Sequence, residues 1–158
     1  MDSQSVFLAN AAATAHLGRN LADRWLAQPA AARPVLLLQG DLGAGKTCLV
    51  QGLAAGLGLQ EPVTSPTFAL AQHYSAPGAT PLVHLDLYRL ELPAAADELF
   101  AQEEEEAIAL GALLAVEWPG RLSFVPDGAW RLELQLADPA DPEAGRVARL
   151  SGVGMPLG

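Results

Sequence analysis

Lysine is almost absent from this 158-residue chain: eight of its nine cationic residues are arginine, and the ninth is Lys46. Cysteine is as scarce. Cys48 stands alone, so no internal disulfide can form, and the composition suits a reducing compartment. Basic charge in general is short, with nine cations against 18 acids and a formal net charge of −9. That excludes a general nucleic-acid binder, which needs surplus cations to meet phosphates. No apolar run approaches the roughly 18–20 residues that span a bilayer. The opening Met1-Asp2-Ser3-Gln4 has no basic region of the signal-peptide kind, so a cytoplasmic location is expected. With one cysteine and three histidines at no paired spacing, a zinc site is not expected.

What is present is core. Hydrophobic residues make up 51% of the chain, and its 15 glycines and 12 prolines are dispersed, which excludes a disordered, collagen-like or repetitive chain. The length suits one domain, expected over 1–151, with 152–158 as a loose tail. Asn10 is placed to cap a helix over 11–27, where Leu17, Leu21, Trp25 and Leu26 recur near helical spacing. Val35 to Leu38 is a short continuous apolar run ending at a glycine-rich turn, the pattern of a strand buried on both faces. A helix over 47–57 follows, stopped at Gly58. Thr64-Ser65-Pro66-Thr67 reads as a loop, because proline pushes the preceding residue out of helical geometry.

Further strands are expected over 68–74, 82–86 and 112–116, separated by a turn at 75–81 and a helix over 93–109. Two of these apolar strands end in carboxylates, Asp86 and Glu117. Residues 130–136 alternate apolar and polar, the pattern of an antiparallel strand with one wet face, and 146–151 is a last strand. The acidic run Glu103 to Glu106 reads as a solvated helix face. The expected fold is therefore α/β.

Gly40-Asp41-Leu42-Gly43-Ala44-Gly45-Lys46-Thr47 fits G-x-x-x-x-G-K-[ST] in full, between a buried strand and a helix. Glycines let the backbone wrap an anion with its N–H groups, and the following helix presents its positive end. In such a P-loop the lysine reaches the β- and γ-phosphates, and the threonine hydroxyl ligates Mg²⁺. A compact ammonium is suited to that position, which gives the lone Lys46 a meaning. A P-loop Mg²⁺ takes one or two carboxylates besides, and Asp86 and Glu117 are the candidates. The expectation sharpens to a P-loop NTPase-like sheet with parallel central strands, antiparallel edge strands and flanking helices, binding at the carboxyl edge. Cys48 follows at the helix start, read chiefly as a small core residue.

The P-loop, with Ser65-Pro66-Thr67-Phe68, His84-Leu85-Asp86-Leu87-Tyr88-Arg89-Leu90 and Glu117-Trp118-Pro119 in that order, resembles the TsaE (YjeE) family from about Val6 to Ser151. The resemblance implies an Mg²⁺-dependent ATPase of bacterial tRNA threonylcarbamoyladenosine synthesis. Its partners would be the TsaB and TsaD proteins, with tRNA met only through the complex and no membrane involved. ATP turnover would reset the complex between cycles. Carried over by position, Gly40 to Cys48 bind ATP or ADP, Lys46 contacts phosphate, and Thr47 and Glu117 hold the metal. Asp86 serves hydrolysis by orienting water or the metal shell, and Thr67 is a switch element near the γ-phosphate. Trp118 walls the site beside Glu117, and Asn10 and Arg146 lie near the base. Cys48 departs from a common second threonine, and the 97–110 segment is more acidic than usual.

A signalling GTPase would need an Asn-Lys-x-Asp motif, which a chain with its only lysine in the P-loop lacks. Two alternatives stay open. One is a small-molecule kinase, for which Arg89 and Arg121 are the arginines near the site edge. The other is a nucleotide-sensing subunit without useful hydrolysis.

Overall fold

The computed structural model describes residues 3–41, 44–63 and 70–152. Among these described residues seven strands form one sheet in the order β1-β7-β6-β2-β5-β4-β3, and three α-helices cover parts of its two faces. The strands are β1 (Ser3–Leu8), β2 (Leu36–Gly40), β3 (Ala71–Tyr74), β4 (Leu82–Asp86), β5 (Leu113–Glu117), β6 (Trp130–Leu136) and β7 (Arg146–Ser151). The helices are α1 (Ala11–Ala27), α2 (Lys46–Gly56) and α3 (Pro93–Leu110). The four central strands, β6-β2-β5-β4, run parallel, while β7, β1 and β3 are antiparallel to their neighbours. This is the mixed α/β sheet that the sequence predicts.

Alternation along the central strands sorts side chains into two cores. Leu36, Leu38, Leu132, Leu134 and Leu150 pack under α1 and α2 with Leu21, Trp25, Leu49 and Leu53. Leu37, Val83, Leu85, Leu114 and Val116 pack under α3 with Phe100 and Ala107. Each fully buried leucine contributes on the order of 1.5–3 kcal/mol relative to exposure.

α1 starts where Asn10 Oδ1 accepts the Ala13 N–H at 2.9 Å, a cap worth about 1 kcal/mol. It crosses α2 in backbone contact. A methyl group at Gly52 would overlap the Ala15 carbonyl oxygen, and one at Gly18 the Leu49 carbonyl oxygen. α3 opens on Pro93 and stops at Gly111, whose φ of 67° lies in the left-handed region. In the acidic run Glu105 and Glu106 are exposed, as expected of a solvated face, whereas Glu103 pairs with His73 Nε2 at 2.8 Å. Among the described residues no helix is long and apolar enough to cross a membrane.

Three expectations change. β1 is an additional strand, paired with β7 from Ser3↔Ser151 to Leu8↔Arg146. Its first half, Ser3-Gln4-Ser5, is exposed and carries no apolar pattern. β6 keeps the predicted alternation but is antiparallel only to β7, being parallel to β2 on its other side. β3 begins at Ala71, later than the predicted start; Leu70 is a bend whose carbonyl accepts the Asp86 N–H at 2.8 Å, and Phe68 and Ala69 lie outside the described residues with the 64–67 loop. Of the predicted tail, 153–158 also lies outside them.

Candidate active site

Parallel pairing brings the carboxyl ends of β2, β5 and β4 to one edge, with Leu38↔Glu117 and Asp86↔Glu117 in register. β2 ends at Gly40, and the chain enters α2 through Gly45, whose φ of 102° suits glycine. Lys46 is therefore the first residue of α2, at the positive end of the helix. Asp41 and Ala44 are described and flank this turn; Leu42 and Gly43 lie outside the described residues.

Lys46 is 7% exposed and Glu117 5%. Two charges so buried persist only when paired. Lys46 Nζ lies 3.6 Å from Glu117 Oε1, and Glu117 Oε2 is hydrogen-bonded to His84 Nε2. Burial alone pushes the Glu117 carboxyl up. The His84 hydrogen bond and the charges of His84 and Lys46 outweigh it and hold the carboxyl below its ordinary value. Asp86, half-buried, is shifted the other way. Burial raises it, and the charge of Glu117 adds to that, against the Tyr88 N–H that Oδ1 accepts at 3.0 Å. Thr47 is half-buried next to Lys46 on α2.

Trp118 turns the chain after β5 with a φ of 59°, the one positive value among the described non-glycine residues. Such a conformation costs a non-glycine residue about 1–2 kcal/mol. It sets the indole under Lys46 Nζ, 4.9 Å from the ring centroid. Tyr88 lies against the same ring at 4.8 Å, and the Arg121 guanidinium 5.8 Å from it. Arg121 Nη2 also donates to the Tyr88 carbonyl at 2.9 Å.

At the other end of the P-loop, Asn10, Thr14, Gly45, Cys48, Glu143 and Arg146 line a cavity of about 320 Å³. Arg146 Nη1 donates to the carbonyls of Pro142 and Gly145, and Cys48 Sγ to the Ala11 carbonyl at 3.1 Å. Cys48 is only partly buried and borders this cavity, rather than serving as a core residue. A second cavity, of about 470 Å³, opens between the root of the P-loop and the Trp118 turn, beside Gln39, Asp41, Arg121 and Glu133.

Lys46, Asp86, Glu117 and Trp118 thus come together at one edge, and Asn10, Gly45, Cys48 and Arg146 around one cavity. Thr67 lies outside the described residues. His84 and Tyr88 are contacts without a role in the sequence-based expectations, and Arg121, expected near the site edge, lies against Trp118 and Tyr88. A polar residue at position i−2 from Asp86, on the same face of a buried strand, is the signal that could have singled out His84. Among the described residues no group of three or more histidine, cysteine or acidic side chains could hold a metal ion.

The family model described as "Threonylcarbamoyl adenosine biosynthesis protein TsaE" matches residues 8–144. The chain belongs to the TsaE family. It is 41% identical over 140 residues to the tRNA threonylcarbamoyladenosine biosynthesis protein TsaE of Nostoc, a match covering 88% of this chain and 82% of the relative. The Synechocystis protein of the same name is 46% identical over 113 residues, covering 68% and 69%. The crystal structure of YdiB from Bacillus subtilis is similar with a TM-score of 0.65 and 26% identity, covering 96% of this chain and 86% of that one. The match to the TsaE family takes in Asn10, the P-loop, Asp86 and Glu117; Arg146 lies just beyond its end.

Proposed function

We propose that this chain is a magnesium-dependent ATPase that serves tRNA threonylcarbamoyladenosine synthesis in the cytoplasm, as one domain over 1–151. In this reading it works with TsaB and TsaD and resets their complex between cycles, meeting tRNA only through it. The observation that carries the reading is the buried Lys46–Glu117 pair beside the P-loop turn, with Asp86 in register.

The side chains suit a magnesium nucleotide. The available metal donors, the Thr47 hydroxyl and the Glu117 and Asp86 carboxylates, are all oxygen, as Mg²⁺ prefers, and they are few, as suits an ion that keeps waters and takes phosphate oxygens. Magnesium, when bound, supplies charge neutralisation at the phosphates. Lys46 exchanges Glu117 for phosphate oxygens as nucleotide enters, and this leaves Glu117 Oε1 free to face a cation. Asp86, its carboxyl raised by burial, is suited to orient water near the γ-phosphate. Trp118 walls off solvent beside Lys46. Thr67 is the proposed switch near the γ-phosphate. The cavity at Asn10, Cys48 and Arg146 takes the base, with Gly40 to Lys46 along the phosphates. Basal turnover is expected to be slow, because a subunit that resets a complex should not spend ATP alone.

The test is ADP release by the purified chain, with and without TsaB and TsaD. Stimulation by the pair supports the reading, and its absence leaves a passive nucleotide sensor. One observation favours a small-molecule kinase instead, the cavity of about 470 Å³ bordered by Arg121. A phosphorylated product alongside ADP would establish that activity.

A further inference from the structure

His84 is 1% exposed, in the middle of a strand whose other members are Leu82, Val83, Leu85 and Asp86. Packing alone would favour an aliphatic side chain there, because an imidazole brings two nitrogens that burial leaves without water. Nε2 meets Glu117 Oε2. Nδ1 is buried and, among the described residues, has no partner. The contact runs diagonally. In register His84 faces Ala115, and Glu117 lies two residues further on the same face of β5. Ala115, the residue in register, carries only a methyl group on that face.

The consequence falls on Glu117. A glutamate has several rotatable bonds, and two equivalent oxygens that could exchange places. With Oε2 held by His84, Oε1 is the oxygen presented to Lys46 at 3.6 Å, toward the P-loop. Carboxylates that ligate metals are commonly held in this way by an outer hydrogen bond. We propose that His84 is a positioning residue that fixes the Glu117 carboxylate, so that one defined oxygen faces the magnesium of the bound nucleotide. This rests on the reading above that Glu117 is a metal ligand.

Calorimetric titration of a non-hydrolysable ATP analogue, at increasing magnesium and in EDTA, separates the metal from the fold. The variants are His84→Leu, His84→Gln, His84→Asn and Glu117→Gln. His84→Leu is expected to raise the magnesium concentration needed for half of the affinity gain by about 10- to 100-fold, with affinity in EDTA unchanged. His84→Gln, whose terminal N–H₂ can still reach Oε2, should restore most of the coupling, and the shorter asparagine should not. Wild-type magnesium dependence in His84→Leu, or an equal loss in the leucine and glutamine variants, overturns the inference. Should the leucine variant not fold, the contrast of glutamine with asparagine carries the test, and equal behaviour of those two overturns it. Unchanged magnesium coupling in Glu117→Gln overturns the metal-ligand reading and this inference with it. Loss of coupling there with none in His84→Leu sinks only the role of His84.

Discussion

Asp86 and Glu117 face each other in register across β4 and β5, yet their carboxyl groups are displaced from the ordinary range in opposite directions. Both are pushed up by burial, but Glu117 has His84 and Lys46 against it and Asp86 is left chiefly with a backbone amide. Neighbouring acids with divergent environments are the usual basis for dividing labour between two carboxylates.

The divergence fixes opposite signs of pH dependence. Glu117, lowered, adds stability that is fully present above its unfolded value near 4.5 and is lost as pH falls further. Asp86, raised, carries a cost at neutral pH that is relieved as pH falls through its folded value. In thermal melts at pH 7, Asp86→Asn is expected to melt higher than wild type while turning over ATP more slowly, and its advantage should shrink on acidification. Glu117→Gln should melt lower at pH 7, with a deficit that narrows below about pH 4.5. Melting curves across pH 3–7 on the order of one-unit steps resolve both trends.

In the proposed site the Lys46 ammonium is a fully charged hydrogen-bond donor to phosphate. Lys46→Ala is expected to lose about 1.5–3 kcal/mol of nucleotide binding, roughly 10- to 150-fold in affinity, and to lose turnover. Calorimetry with ATP and magnesium measures the first, and phosphate release the second. Wild-type turnover in this variant would remove Lys46 from the site.

Of the three tryptophans, Trp25 and Trp130 are 3% and 1% exposed inside the core, and Trp118 lies under the Lys46 ammonium. Nucleotide that draws Lys46 off the indole should change tryptophan emission. Trp118→Phe should abolish that change while keeping an aromatic face for the ammonium, so binding weakens by no more than about 1 kcal/mol. A nucleotide-dependent signal persisting in Trp118→Phe would mean the reporting ring lies elsewhere.

Gly52→Ala tests the helix crossing. The added methyl meets the Ala15 carbonyl oxygen, a backbone atom with little freedom to yield. Overpacking of this kind costs about 1–3 kcal/mol, which lowers the melting temperature by roughly 2–12 °C in a chain of this size. Differential scanning calorimetry reads the shift directly.

Legibility followed local pattern. β4 reads correctly because Leu82 to Leu85 are buried and bounded by a turn and a carboxylate, and β6 because Trp130, Leu132 and Leu134 alternate with polar residues. β1 did not read as a strand, since Ser3-Gln4-Ser5 lie exposed at the sheet edge and only Leu8 is fully buried. The P-loop lysine and the two strand-end carboxylates were visible from motif and position. What escaped was set by register. His84 reaches Glu117 only because β4 and β5 are parallel with Ala115 between them, and Tyr88 and Arg121 meet at Trp118 only through its left-handed turn. The meeting of Asn10 and Arg146 at one cavity came from family resemblance, because 136 positions of sequence separation carry no local signal.

The bare seam between α1 and α2 has a mechanical side. Asn10 stands at the head of α1 and Lys46 at the head of α2, and the two helices touch through peptide atoms at Gly18 and Gly52 with no compliant side chain as a cushion. Side-chain rotation therefore cannot lengthen or shorten the span from Asn10 to Lys46. That gauge moves only when one helix shifts bodily against the other.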